Sequence, residues 1–521
     1  MRNEIFRACA LITECRPYAD GSVTTRYGHL PTLKLMNIPI SSLSVRAAVV
    51  TLTASVALGL SGCSTPVLKS SVDVPPRYAM ASPTTTEPEI AWWESYGDPV
   101  LSELIRRAAY ENRDVKIASE RVRAARAGET ISRSRLLPSI DLQATGLDRN
   151  TGHSSSAKVS LPDVKGAGGG VGVSWEVDIA GGLRAGAAAA ASETLAAEHG
   201  TRAVRLMVLA DVASNYFIVI GTLRQLETVR AIAAAQDETL RLVTARQRAG
   251  LATLFDVERA QTEASRAHAA IPPLETVAAV ARHRIAVLIG DQAFNAAAIV
   301  PSNRELVVPS AQPGQPAALL QRRPDLLALD AQLQAANARR KQAQAEWFPR
   351  LFLSALFGRE NVDLNGVGLG AAHFTNVFGM LAMPIFNAGR TRAINEIAES
   401  GQREAVIRYE HGIVRALADV ENTLVTVRDE RQRNEMLQAA SSSAESALGR
   451  AQSLYERGQI DLLPLLDAQR TRLTVRVNAN DSNTQLLLDS VQLYKALGGG
   501  WQVFEPAGQP AANSDTGSPK S

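Results

Sequence analysis

The chain carries one motif twice. Arg248-Ala249-Gly250-Leu251-Ala252-Thr253 runs on through Asp256 to an Ala-Gln pair ending at Gln261, and Arg457-Gly458-Gln459-Ile460-Asp461 runs on through Asp467 to Ala468-Gln469. In both copies the pair ends eleven residues after the glycine, so one offset maps the first onto the second. A long proline-free run precedes each glycine and a shorter helical run follows. A glycine able to take positive φ after a helix, then a Thr or Asp (Thr253, Asp461) able to cap another, predicts a tight turn between antiparallel helices. Two helical hairpins are therefore expected, with these motifs at their tips.

The repetition reaches further. Asp114 maps onto Asp325 and Pro138 onto Pro349 at a common offset, so the duplication covers nearly all of the chain after its start. For 521 residues a length prior suggests three or four domains, and the duplication overrides it. Residues 91–300 form the first repeat, with its tip at about 248–256, and 301–505 the second, with its tip at about 457–464. Residues 506–521 are a polar tail expected to be disordered.

After Pro138 the hydrophobic period changes from helical to two. Ile140, Leu142 and Ala144 alternate with Asp141, Gln143 and Thr145; later Val171, Val173, Trp175 and Val177 alternate with Gly172, Ser174, Glu176 and Asp178. Leu351, Leu353, Ala355 and Phe357 repeat the pattern, and a less regular segment follows at 374–386. The expected strands are about 138–148, 170–179, 349–359 and 374–386, with the glycine runs 166–172 and 366–370 in hairpin loops. Ten tilted residues cross a bilayer, but four strands cannot close a barrel, and an open edge in lipid leaves backbone groups unpaired. Strands placed in lipid therefore require several subunits to share one barrel. A small water-exposed sheet is the alternative.

No proline occurs from Gly186 to Arg248 or from Arg390 to Arg457, which allows helices of roughly 90–100 Å. Leu226, Val229, Ala233, Leu240 and Val243, then Leu417, Val420, Leu424 and Val427, form 3-4 stripes suited to coiled-coil seams. Pro272-Pro273 predicts a break in the first return helix. Asp98-Pro99 starts a helix, and Trp92-Trp93 before it is read as a staple to the core.

Arg46 and the apolar run Ala47 to Leu60 end in Leu60-Ser61-Gly62-Cys63, which has the form of a secretory signal closed by a lipobox. Cys63 is the expected acylated amino terminus, residues 1–62 the signal, and Met36 the expected true start. Residues 63–90, rich in Pro, Ser and Thr, form an extended arm. The other two cysteines are Cys9 and Cys15, so no disulfide framework or cysteine metal site can be built. A net charge of +3, with both signs interspersed along the helices, gives no electrostatic case for nucleic acid.

The lipobox, the duplicated helix-hairpin-helix order and the two tips resemble the outer-membrane factor family, the TolC-like and OprM-like exit ducts of tripartite efflux pumps. Trp92-Trp93, Asp98-Pro99, Leu137-Pro138, Trp175 to Asp178 and Pro384-Ile385-Phe386 carry the resemblance with them. It implies a mainly α fold with a membrane β-barrel: a homotrimer sharing twelve strands in the outer membrane above a trimeric α-barrel in the periplasm. It also implies a periplasmic adaptor and an inner-membrane pump of the RND type as partners. Gly250 with Leu251, and Gly458 with Gln459, match the turns that touch the adaptor. Asp467 matches an acidic ring at the constriction, and Asp256, Arg248 and Tyr455 match inter-helix bonds that latch the closed tip. The family's second ring aspartate is replaced here by Pro464, which puts a two-ring gate in doubt.

Seven histidines lack metal-ligand spacing, and four of them, His199, His268, His283 and His411, sit in helical runs and are read as lying on solvated helix faces. No nucleophile elbow or dinucleotide-binding spacing occurs, so neither enzyme nor cofactor is expected. Passive conduction of small molecules is the expected function. A type I protein secretion duct and a non-conducting coiled-coil envelope lipoprotein remain as rivals.

Overall fold

The computed structural model describes residues 67–80, 88–154, 156–291, 308–309 and 312–505. The signal segment, Cys63, most of the connector between the repeats and the polar tail lie outside the described residues.

Helix α1 (Pro99–Glu111) starts at Asp98, whose Oδ1 accepts from Val100 N at 2.9 Å. The Tyr216 hydroxyl donates to the other oxygen at 2.6 Å, so this buried carboxylate is satisfied on both sides. Helix α2 (Arg113–Ser134) begins one residue earlier than Asp114 suggests, because Asn112 is its cap. Asn112 accepts from Asp114 N at 2.8 Å and donates to Leu288 O at 2.8 Å. Strands β1 (Ser139–Arg149) and β2 (Val164–Val177) follow, then α3 (Gly182–Arg248), α4 (Leu254–Ala269) and α5 (Ile271–Leu288). After a short α6 (Leu319–Arg322), the order recurs as α7 (Pro324–Ala345), β3 (Arg350–Leu364), β4 (Val367–Ala382), α8 (Arg390–Glu456) and α9 (Leu462–Ala496).

The strands make one antiparallel sheet in the order β1-β2-β3-β4. Two expectations are corrected here. The run 166–172 is not a loop: it pairs with β1 and β3 inside β2, so that strand begins at Val164 rather than near 170. A Cβ on Gly170 would lie 2.4 Å from Phe357 O, so the bare glycines let adjacent backbones close up. The turn between β3 and β4 is Asn365-Gly366, with φ of 55° and 83°, and β4 starts directly after it and ends at Ala382. Two residues of positive φ match the twist of a tight hairpin, which moves Gly368 and Gly370 into the strand.

The register puts Ile140, Val173, Ala355 and Val377 in one row and Leu142, Val171 and Phe357 in the next, while Asp141, Gln143, Glu360 and Asn376 take the opposite face. In one chain the apolar face is bare, with Leu142 86% and Val377 76% exposed. Among the described residues, strands β1 and β4 each have a neighbour on one side only.

Helices α3 and α8 have 67 residues each, a length of roughly 100 Å. One stretch of α3 is long and apolar enough to cross a membrane by composition, but 67% of it is buried within the protein, so it belongs to the core. The return path of the first repeat is broken between α4 and α5 at Ala270, two residues before Pro272, as a missing N–H requires. In the second repeat α9 is continuous over 35 residues.

The tryptophans are staples, as expected. Trp92 and Trp93 are buried; Trp92 stacks on Tyr494 at 5.4 Å and donates to Gly499 O, while Trp93 stacks on Phe504. The arm follows α8: Ser71 N donates to Glu410 at 2.9 Å, Ala79 N donates to Glu421 at 2.6 Å, and Tyr78 is buried between them. His199 departs from the solvated reading. It is buried, burial pushes it down to about 4, and its neutral Nδ1 accepts from Arg202 at 2.9 Å.

Candidate functional site

The two tips share one backbone device. In the first, Gly250 takes φ of 74° while its N–H bonds Gln247 O at 2.9 Å and Leu251 N bonds Arg246 O at 2.8 Å. In the second, Gly458 takes φ of 71°, its N–H bonds Tyr455 O at 3.0 Å, and Gln459 N bonds Leu454 O at 2.9 Å. Both are Schellman closures, which satisfy the last carbonyls of a long helix and turn the chain back. They leave Gly250, Leu251, Gly458 and Gln459 exposed, with Leu251 at 75%.

The tips differ in how the next helix starts. Thr253 caps α4 in a reciprocal box: its hydroxyl accepts from Asp256 N at 3.2 Å, and Asp256 Oδ2 accepts from Thr253 N at 2.9 Å. These bonds, with the Thr253 hydroxyl donating to the same oxygen at 2.7 Å, hold the Asp256 carboxyl below its ordinary range. Asp461 sits at the cap position of α9 but makes no side-chain cap bond. The third helical residue there is Pro464, which has no N–H to offer.

Between the tips, Val243 and Ala260 of the first hairpin pack with Tyr455, Leu462, Leu465 and Leu466 of the second. The buried Tyr455 ring lies under the Arg246 guanidinium, 4.6 Å from its centroid, so the contact across hairpins is a cation–π pair. A cleft of about 400 Å³ opens beside it, walled by Leu251, Asp256, Arg259, Ile460 and Asp461.

Of the expected latch residues, Tyr455 does bridge the hairpins, but its partner within one chain is Arg246, not Arg248. Arg248 is exposed and, among the described residues, forms no ion pair. Asp256 is bonded inside its own hairpin. Asp467 is exposed on the second turn of α9. Reading the sequence missed Arg246 and the three leucines. The signal for Arg246 was a second cation in the last turn of α3, two residues before Arg248.

The family model for outer membrane efflux proteins matches residues 104–291 and 316–499. The chain is 32% identical over 462 residues to the pyoverdine export outer membrane protein OpmQ of Pseudomonas aeruginosa, covering 87% of this chain and 96% of that one. It is 31% identical over 423 residues to outer membrane protein OprJ of the same organism, covering 78% and 86%. The solved outer-membrane channel OprN superposes with a TM-score of 0.76 at 26% identity, over 84% of this chain and 99% of that one. The CusC channel gives 0.74 at 25% identity over 84% and 99%. With two matched segments spanning both repeats and relatives aligned over most of their length, this chain belongs to the outer membrane efflux protein family, the TolC-like efflux channels of the bacterial outer membrane.

Proposed function

We propose that three copies of this chain close their sheets into one twelve-stranded barrel and join their long helices into a tunnel through the periplasm. The assembly is a passive exit duct that receives small molecules from a periplasmic adaptor and an inner-membrane pump of the RND type. The observation that carries this reading is the sheet: four strands with two unpaired edges and a bare apolar face, continuous with helices of roughly 100 Å. Neither lipid nor water accepts such a sheet alone, and three copies remove every edge.

On this reading Cys63 is acylated and tethers the arm to the outer membrane, and the exposed turns at Gly250-Leu251 and Gly458-Gln459 meet the adaptor. Asp467 contributes one carboxylate per chain to a ring at the constriction. The protein is not an enzyme and holds no cofactor; the pump supplies the energy. Relatives bear names as different as pyoverdine export and cation efflux, which fits a wide duct that leaves selection to its partners.

The test is oligomeric state and conductance. Detergent-extracted protein should run as a trimer that dissociates on boiling, and should open ion-conducting pores in planar bilayers. Monomers without conductance would remove the duct and favour the scaffold.

A further inference from the structure

We infer that each chain carries a binding pocket for amphiphilic organic anions midway along the duct. The pocket is a hollow of about 730 Å³ where the start of α7 meets the end of α9, flanked by α3 and α8. That volume suits a drug-sized molecule. This inference rests on the duct reading for which way the hollow faces, and on the side chains alone for what it binds.

The chemistry divides in two. Ala203, Leu206, Met207 and Leu329 supply an apolar wall from α3 and α7. On α8, Arg408, His411 and Arg415 recur at the spacing of one helix face, with Lys495 of α9 opposite them. Gly412 lies on the same face between His411 and Arg415, and a Cβ there would fall 2.6 Å from Leu329 Cδ1, so the leucine side chain packs directly against the bare backbone of α8. The two carboxylates in the wall are already engaged. Arg323, only 12% exposed, binds Asp325 at 2.8 Å and Asp419 at 3.2 Å. Among the described residues, Arg415 and Lys495 form no ion pair, and Arg408 pairs only with exposed Glu404, one turn away. Two cations without an ion pair, Arg415 and Lys495, beside an apolar wall suit a carboxylate or sulfonate carrying a hydrophobic body.

On the duct reading the hollow faces the interior. Glu410 and Glu421, which hold the arm, lie on the far side of α8 from Arg408 and Arg415. With the described part of the arm on the outside of the wall, as the duct reading has it, the face of α8 carrying Arg408 and Arg415 points into the tunnel. The lining comes from one chain, so a trimer would present three such pockets.

The test uses full-length protein in nanodiscs of zwitterionic lipid, with 1-naphthalenesulfonate as probe in equilibrium dialysis, empty nanodiscs as blank and neutral 1-naphthylmethanol for comparison. Saturable binding of the sulfonate at one site per chain is expected, weakened about tenfold by Arg408→Ala with Arg415→Ala and largely kept by Arg→Lys at both positions. Equal binding by the double alanine variant, or by the neutral probe, would overturn the pocket. Conductance measured on the same preparations separates the two readings. Lost binding in a variant that still conducts supports the pocket, conduction by wild type without saturable binding sinks the pocket alone, and a non-conducting wild type sinks the duct and the assigned facing.

Discussion

The two hairpin tips share a backbone but not a way of fastening. Each ends a 67-residue helix with a glycine of positive φ and the same pair of closing bonds. At the third residue of the returning helix one carries Asp256 and the other Pro464, which correspond under the offset of the duplicated motif. Asp256 completes a capping box and fixes its turn by local hydrogen bonds. Pro464 leaves the Asp461 side chain without a cap bond, and that hairpin is held instead by Leu462, Leu465, Leu466 and Tyr455 packing against its neighbour. The first tip therefore has a local hydrogen-bonded fastening that the second lacks, while both share the packed cluster between the hairpins.

Removing the shared contact should have the largest effect. Tyr455→Ala deletes the buried ring under Arg246 and should cost the tip about 3 kcal/mol, with hydrogen exchange rising more around 455–466 than around 246–262. Equal rises on both sides would show that the tips unfold as one unit.

Asp256→Ala should cost about 1 kcal/mol and speed exchange in the first tip only. The same bonds predict a pH effect. Because the folded carboxyl is held below its ordinary value of 3.8, the cap is fully effective above that value and is lost as pH falls through the lower, folded one. Acidification below about pH 4 should loosen the first tip and erase its advantage over the second. A tip whose exchange is indifferent to this range would deny the box any stabilising role.

Pro464→Asp installs the missing partner and should stabilise the second tip by up to about 1 kcal/mol, making the two exchange alike. Asp467→Ala should be the smallest in stability, within about 0.5 kcal/mol, because the side chain is exposed. It should nonetheless raise resting conductance by removing one carboxylate per chain from the proposed ring, and unchanged recordings would take Asp467 out of the gate.

The sequence by itself determined whatever depends on local chemistry. A glycine after a long proline-free run sets a turn, Pro272-Pro273 breaks a helix, and a period of two makes a strand; each is decided by neighbours a few residues away. Only the tertiary structure decided what depends on approach between distant segments. The glycines of β2 look like a loop until β3 packs against them, and Arg246 rather than Arg248 meets Tyr455 because the rotation of α3 against α8 selects which last-turn cation faces inward. His199 reads as a solvated residue until packing between distant segments buries its ring beside the Arg202 charge, and both disfavour its protonation.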